Sequence, residues 1–243
     1  MTMTADIQEY WRDGLDQIEG WVDRRLLDYL VLIGEIQRHM ALTGNIAEIG
    51  VFNGRFLLAL AHLAAPPEKC VAIDVFEEQK YNIDGSSPGA PKSFDANWER
   101  FAPPGVSLVK IRADSLALTL PERIDICRQH GPFRLFSVDG GHTVDHVIND
   151  LAFAQDTLAL GGVIMADDYF HSHWPGVTEG VQNFVTHGTS KVKPFLHIGN
   201  KLFLCPVSVH AQYVRIFNDR MGQRPQHKLV RMFGWDTLAV VNR

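Results

Sequence analysis

The chain has 243 residues, 46% of them hydrophobic and 21% charged, with a formal charge of -5 at pH 7. That is the composition of a folded globular protein with enough chain for a substantial core. The acidic balance and the scattered basic residues exclude an electrostatic partnership with nucleic acid or an anionic membrane, and no apolar run approaches the ~20 residues of a membrane helix.

Cys70, Cys127 and Cys205 are an odd number without metal-ligand spacing, which reads as packed thiols rather than disulfides. The opening Met1-Thr-Met-Thr-Ala-Asp6 has no basic stretch followed by an apolar one, so no signal peptide is expected. Together these point to a soluble, cytoplasmic protein.

Ile7, Tyr10, Trp11, Leu15, Ile18 and Trp21 recur at helical spacing and predict an amphipathic first helix. Leu26, Leu27, Leu30, Val31, Ile33, Ile36 and Met40 predict a second, ended by Gly44. Residues 1–44 are thus expected to be a helical extension, placed to cover a ligand, line an entrance or pair two subunits as a homodimer.

Asn45 to Val51 is apolar and β-prone, a short buried strand. Gly50 and Gly54 then open a turn into the helical pattern Phe56 to Leu63. Strand, glycine turn and helix N-terminus make a ligand cradle, because glycines admit a close backbone approach and the first helical N–H groups are free. The spacing is not G-x-G-x-x-G, which disfavours a nicotinamide-dependent dehydrogenase. Cys70 to Val75 is a second buried strand carrying Asp74, about 20 residues past the turn, where an acid can accept hydrogen bonds from ribose hydroxyls.

Phe76 to Pro91, rich in Gly, Ser and Pro, predicts a long loop, and Ser93 to Phe101 a short helix. Val106 to Arg112 alternates as a third strand and ends at Asp114 and Ser115, which can contact a ligand or cap the next turn. Phe133 to Asp139 is a fourth strand running into Gly140-Gly141-His142. A helix is expected from Thr143 to about Leu160, stopped by Gly161-Gly162, before a fifth strand ending in Asp167-Asp168. Another helix starts at Trp174-Pro175, with Pro favoured in a first turn. Lys193 to His197 and Lys201 to Cys205 flank Gly199-Asn200 as a hairpin; Val209 to Met221 is amphipathic, and nothing after Gly222 shows a readable pattern.

Strands alternating with helices predict a three-layer, doubly wound α/β fold, mostly parallel with an antiparallel C-terminal hairpin. Residues 45–206 carry it, and 207–243 are expected to be a helical tail packing on the same domain.

In open α/β sheets, ligands bind outside the carboxyl ends of the strands, where Asp139, Asp167 and Asp168 converge. A pair of carboxylates about 4 Å apart costs on the order of 4 kcal/mol at an effective dielectric of 20. Such a cluster persists if a proton is shared or a cation bound, and all-oxygen ligands favour Mg²⁺ or another hard divalent ion. His142, three residues past Asp139, is placed to act as a general base toward a hydroxyl. His146, His171 and His173 are further cleft residues.

Glu48-Ile-Gly-Val-Phe-Asn-Gly54 resembles the first motif of class I S-adenosylmethionine-dependent methyltransferases. With Asp139-Gly-Gly-His142, Gly161-Gly-Val-Ile-Met-Ala-Asp-Asp168 and Trp174-Pro-Gly-Val177, the chain resembles the macrocin/mycinamicin sugar O-methyltransferase family from about Asn45 to Cys205. The resemblance implies a seven-stranded sheet and S-adenosylmethionine held by Glu48, Gly50, Phe52, Gly54, Asp74 and Asp139, with Asp114 and Ser115 near the adenine. It also implies a divalent ion on Asp139, Asp167 and Asp168, the base His142, and a sugar or phenolic hydroxyl of a small metabolite as acceptor. Two positions depart from the family: Gly141, where many relatives carry Asp, and Val144, where many carry an aromatic residue. The competing readings are a metal-dependent hydrolase or lyase built on the Asp/His cluster, which leaves Glu48, Gly54 and Asp74 without a role, and a non-catalytic cofactor-binding module.

Overall fold

The computed structural model describes residues 7–78, 80, 85 and 91–241. The reading of Met1 to Asp6 and most of the Phe76 to Pro91 loop therefore fall outside the described residues.

The strands are β1 (Asn45–Ile49), β2 (Lys69–Asp74), β3 (Ser107–Arg112), β4 (Phe133–Val138), β5 (Leu158–Ala166), β6 (Val192–Ile198), β7 (Lys201–Pro206), β8 (His227–Met232) and β9 (Trp235–Val240). They form one sheet in the order β3-β2-β1-β4-β5-β7-β6-β9-β8. The first five are parallel neighbours, β7 runs antiparallel to both β5 and β6, and β9 is parallel to β6. Chain order reverses between β1 and β4, so their carboxyl ends open the crevice where such sheets take ligands.

Helices α1 (Leu27–His39), α2 (Arg55–Ala61), α3 (Pro91–Phe101), α4 (Leu120–His130), α5 (Val144–Thr157), α6 (Pro175–Thr186) and α7 (Val207–Met221) complete the layers. One core joins Ile33 of α1, Leu57 of α2, Phe94 of α3 and Phe217 of α7 to one face of the sheet. A second joins Ile126 of α4, Phe153 of α5 and Val181 of α6 to the other. Every residue of β4 is buried, because helices cover both faces.

The structure departs from the sequence reading at four points. Among the described residues the sheet has nine strands, not seven: beyond the helical part of the tail, Phe233 (φ +50) and Gly234 (φ +82) make a two-residue turn between β8 and β9. Such turns need positive φ at both positions, and Phe-Gly is a weak signal for one beside Asn-Gly. The first amphipathic stretch is helical but irregular: a π-helical turn at Tyr10–Gly14 runs into a 3₁₀ turn at Leu15–Gln17, burying Ile7, Tyr10, Trp11, Leu15 and Ile18, while Trp21 lies beyond the helix and is 77% exposed. Gly161-Gly162 lie inside β5 instead of stopping α5; Gly161 takes φ +97 while the β4–β5 register shifts nearby. Finally, α4 was not expected, although Thr119 and Glu122 form a capping box at its start.

Candidate functional site

Strand β1 delivers Glu48 and then the glycine turn. Gly50 has φ +80, and a Cβ there would lie 1.9 Å from the Asp139 carbonyl oxygen; at Gly54 (φ +82) it would meet the Phe94 ring at 2.8 Å. Both positions therefore demand glycine. Asp74 braces the turn: Oδ2 accepts from the N–H of Val51 (2.7 Å) and Phe52 (3.3 Å), and Oδ1 from Phe76 (2.7 Å). Its carboxylate thus shapes the cradle as well as lining it.

Glu48 is buried, and neither carboxylate oxygen has a hydrogen-bond partner. Burial pushes its pKa up to about 8, against the nearby Lys201 cation, which lowers it. The Ser137 hydroxyl alongside stays outside hydrogen-bond geometry.

The cavity has a volume of about 1040 Å³ and is lined by both the glycine turn and the acids of β4 and β5. Asp139, His142 and Asp168 offer ligand atoms all within 4.8 Å of one another, an arrangement suited to a divalent ion. Burial and the neighbouring Asp167 hold the Asp139 carboxyl well above its ordinary range, with Lys201 opposing. Asp168 sits at φ +54, an uncommon conformation for a non-glycine residue. Its Oδ1 accepts from Asn200 Nδ2 at 2.8 Å, and its Oδ2 lies 3.1 Å from His142 Nε2. Burial pushes this carboxyl up, but His142 and Asn200 prevail and hold it below its usual value. The His142 ring stacks on Trp174, centroids 4.1 Å apart and planes 14° from parallel.

Asp167 turns elsewhere. Its Oδ2 is 2.5 Å from Lys201 Nζ and its Oδ1 accepts from the Asp168 N–H at 3.0 Å. The Lys201 ammonium also lies 4.1 Å from the centre of the Phe56 ring. Of the three expected ion-binding acids the structure therefore gathers Asp139 and Asp168 with His142, and pairs Asp167 with lysine.

Asp114 and Ser115 reach the same cavity. Asp114 also accepts from the Leu116 N–H at 3.0 Å, so it caps the following turn. His146 is buried, 2.7 Å from Thr143 Oγ1 through Nδ1 and 3.8 Å from Asp114 through Nε2. Its ring fills the space in front of Gly141, where a Cβ would come within 2.8 Å of it. His171 and His173 line the cavity, ring centroids 5.3 Å apart.

Sequence reasoning missed Lys201 and Asn200. Both follow the Gly199 turn, where a polar residue ordinarily faces water, and no spacing marks them as inward. Trp21 was assigned to a buried stripe; it stands instead at the cavity wall, stacked on Phe52.

A mostly parallel sheet, with a glycine turn after β1 and acids at the adjoining strand ends, defines a nucleoside-cofactor α/β protein. The model of a family described as a methyltransferase domain matches residues 47–169. That is half of the chain, which belongs to this family. No curated protein matches the sequence. Among solved structures, the O-methyltransferase NovP superposes with TM-score 0.57 at 12% identity, over 74% of this chain and 78% of NovP. CalS11, a TDP-rhamnose 3'-O-methyltransferase of calicheamicin biosynthesis, gives 0.51 at 17% identity over 84% and 92%. MycE from the mycinamycin pathway, in complex with Mg and SAH, gives 0.51 at 13%, over 84% of this chain but 54% of MycE. At these identities the likeness carries the fold. No described helix is long and apolar enough to cross a membrane.

Proposed function

We propose that the protein transfers a methyl group from S-adenosylmethionine to a hydroxyl oxygen of a small metabolite, with a hard divalent cation at the acidic corner. The observation that carries this reading is the opening of the glycine turn and the Asp139–His142–Asp168 group onto one cavity. NovP, CalS11 and MycE, which share the fold, are all described as methyltransferases, the first two acting on oxygen.

The residues suit such a cofactor. Glu48 presents two buried oxygens without a hydrogen-bond partner to the cofactor's amine donors, and Gly50 and Gly54 leave the backbone uncovered beside it. Asp74, Asp114 and Ser115 line the same wall with acceptors for hydroxyl and amine donors. The cofactor supplies an activated methyl group on a sulfonium.

Asp139 and Asp168 provide the paired carboxylates that Mg²⁺ or a similar ion takes, while Lys201 neutralises Asp167 beside them. A bound divalent ion lowers the pKa of a hydroxyl. His142, with Nε2 3.1 Å from Asp168 Oδ2, is the imidazole placed to accept the hydroxyl proton. Trp174 fixes the plane of the ring and Asp168 stabilises the imidazolium that results. Orientation and these fixed charges supply the catalysis.

Calorimetric titration of metal-stripped protein with S-adenosylmethionine, then with Mg²⁺, tests this on the wild type and on Asp168→Ala. Cofactor binding in both, with the metal heat lost in the variant, is the expected result. Absence of any cofactor heat or thermal shift refutes the methyltransferase reading.

A further inference from the structure

We infer that Asn200 is the positioning residue of the ion site: its amide fixes Asp168 as a ligand, while its neighbour Lys201 withdraws Asp167. The inference rests on the proposed function and decides which of two adjacent acids serves it.

The placement begins with sheet register. Strand β7 runs antiparallel to β5, and their last pair is Ala166 with Leu202. Continuing that register past the strand end sets Lys201 opposite Asp167 and Asn200 opposite Asp168. The side chains follow it. Lys201 Nζ lies 2.5 Å from Asp167 Oδ2, and Asn200 Nδ2 donates to Asp168 Oδ1 at 2.8 Å. The backbone extends the same pairing, with the Tyr169 N–H donating to the Asn200 carbonyl at 2.8 Å. Two consecutive residues on one side thus hold two consecutive acids on the other.

The two holders differ in charge, and that difference sorts the acids. An ammonium at hydrogen-bond distance cancels most of the field of Asp167. A carboxamide is neutral, so Asp168 keeps its charge for a cation. Because a carboxylate only accepts, the amide must turn its NH₂ toward Asp168, and that bond sets the rotation of the acid. Oδ2 is left 3.1 Å from His142 Nε2, in the group that includes Asp139.

Asp168 needs such a holder. It has φ +54, and Phe170 two residues on has φ +69, conformations that non-glycine residues keep only where their surroundings impose them. Asn200 is itself braced. Gly199 before it has φ +58, and a Cβ there would come within 2.8 Å of Asp23 Oδ2, so the turn packs closely against the N-terminal segment. From that backbone Asn200 reaches the cavity wall.

The test uses Mn²⁺ as the probe, followed by calorimetry and by loss of the free ion's electron paramagnetic resonance signal. Adenosylhomocysteine affinity and melting temperature are measured on the same proteins. Asn200→Leu, similar in size but without a donor, is expected to weaken Mn²⁺ binding about 10–100-fold, the usual cost of removing a ligand's outer partner. Its adenosylhomocysteine affinity should stay within about twofold, and Asn200→Ser, which keeps a donor, should recover part of the loss. The double variant Asp167→Asn with Lys201→Met should keep Mn²⁺ affinity within about threefold. Unchanged Mn²⁺ binding in Asn200→Leu overturns the inference. So does a loss that takes adenosylhomocysteine binding with it and is not recovered by serine, which would make Asn200 merely structural. Loss of Mn²⁺ in the double variant would return Asp167 to the ligands and overturn the sorting. A wild type that binds no Mn²⁺ removes the ion site and this inference with it. One that binds Mn²⁺ but no adenosylhomocysteine refutes the methyltransferase reading and leaves the role of Asn200 standing.

Discussion

The Lys201 ammonium lies 2.5 Å from Asp167 Oδ2, with 4% and 12% of the two side chains exposed. Glu48 and Asp139 face the same ammonium, and its protonated form is favoured despite burial because Asp167 and Asp139 outweigh the desolvation. Part of the counter-charge that an acidic corner requires is thus built into the chain. It comes from a residue that begins β7, hydrogen-bonded into the sheet next to β5.

Lys201→Met is expected to lower stability by about 3–5 kcal/mol, the cost of leaving one partner of a buried pair uncompensated. The double variant Lys201→Met with Asp167→Asn is expected to recover most of that loss, because the lysine's hydrogen-bonded partner is then uncharged. Urea denaturation of the four proteins of the cycle measures both.

Gly141 is closed to larger residues by His146. A Cβ would come within 2.8 Å of two atoms of an imidazole that is itself buried and held near Thr143 and Asp114. Gly141→Asp is therefore expected to displace His146, lower the melting temperature and weaken cofactor binding. Gly141→Ala should do the same to a smaller degree, as differential scanning fluorimetry with and without S-adenosylmethionine will show.

Much of this site was legible because its glycines and acids sit at strand ends, where α/β sheets bind ligands whatever their sequence. Gly50, Gly54 and Asp139 could be placed from local pattern, since the strand before each is mostly apolar, and Glu48 from the resemblance of its motif. Lys201 could not: its role depends on β7 lying against β5, a contact between residues far apart in the chain. Trp21 fits a helical stripe by spacing, yet the helical stretch ends at Gln17, Ile18 is already extended, and the indole stands 77% exposed. The last two strands were hidden for a different reason. β8 is a half-exposed edge strand with no clean alternation, and only pairing with β9, which packs on β6, makes it a strand.

Glu48 gives stability a pH slope. Its folded pKa is raised from an ordinary 4.5 to about 8 by burial, so between those values the folded protein keeps a proton that the unfolded chain has released. Stability contributed by this group therefore falls as pH rises through that window. Glu48→Gln, neutral throughout, is expected to flatten the slope; a variant whose denaturation midpoint follows pH as steeply as the wild type would sink the assignment. Asp150, buried and pushed up to about 6, adds a slope of the same sign at lower pH and is unaffected by the substitution.

His142 is the residue on which turnover should depend most. Its ring is held by the stack with Trp174 and by Asp168 at 3.1 Å, so losing it removes a positioned proton acceptor without opening the core. His142→Ala is expected to reduce kcat by about 10²–10⁴, the usual worth of a general base, with cofactor affinity unchanged. Trp174→Leu keeps the imidazole but frees its plane, and the loss should be smaller and confined to kcat. Asp168→Asn removes both the ion's carboxylate and the partner of the imidazolium, so its defect should exceed that of Trp174→Leu and should not be rescued by raising Mg²⁺. Single-turnover rates of methyl transfer, measured with saturating cofactor, separate the three. A His142→Ala enzyme as fast as the wild type would move the base elsewhere on the cavity wall, which His146, His171 and His173 also line.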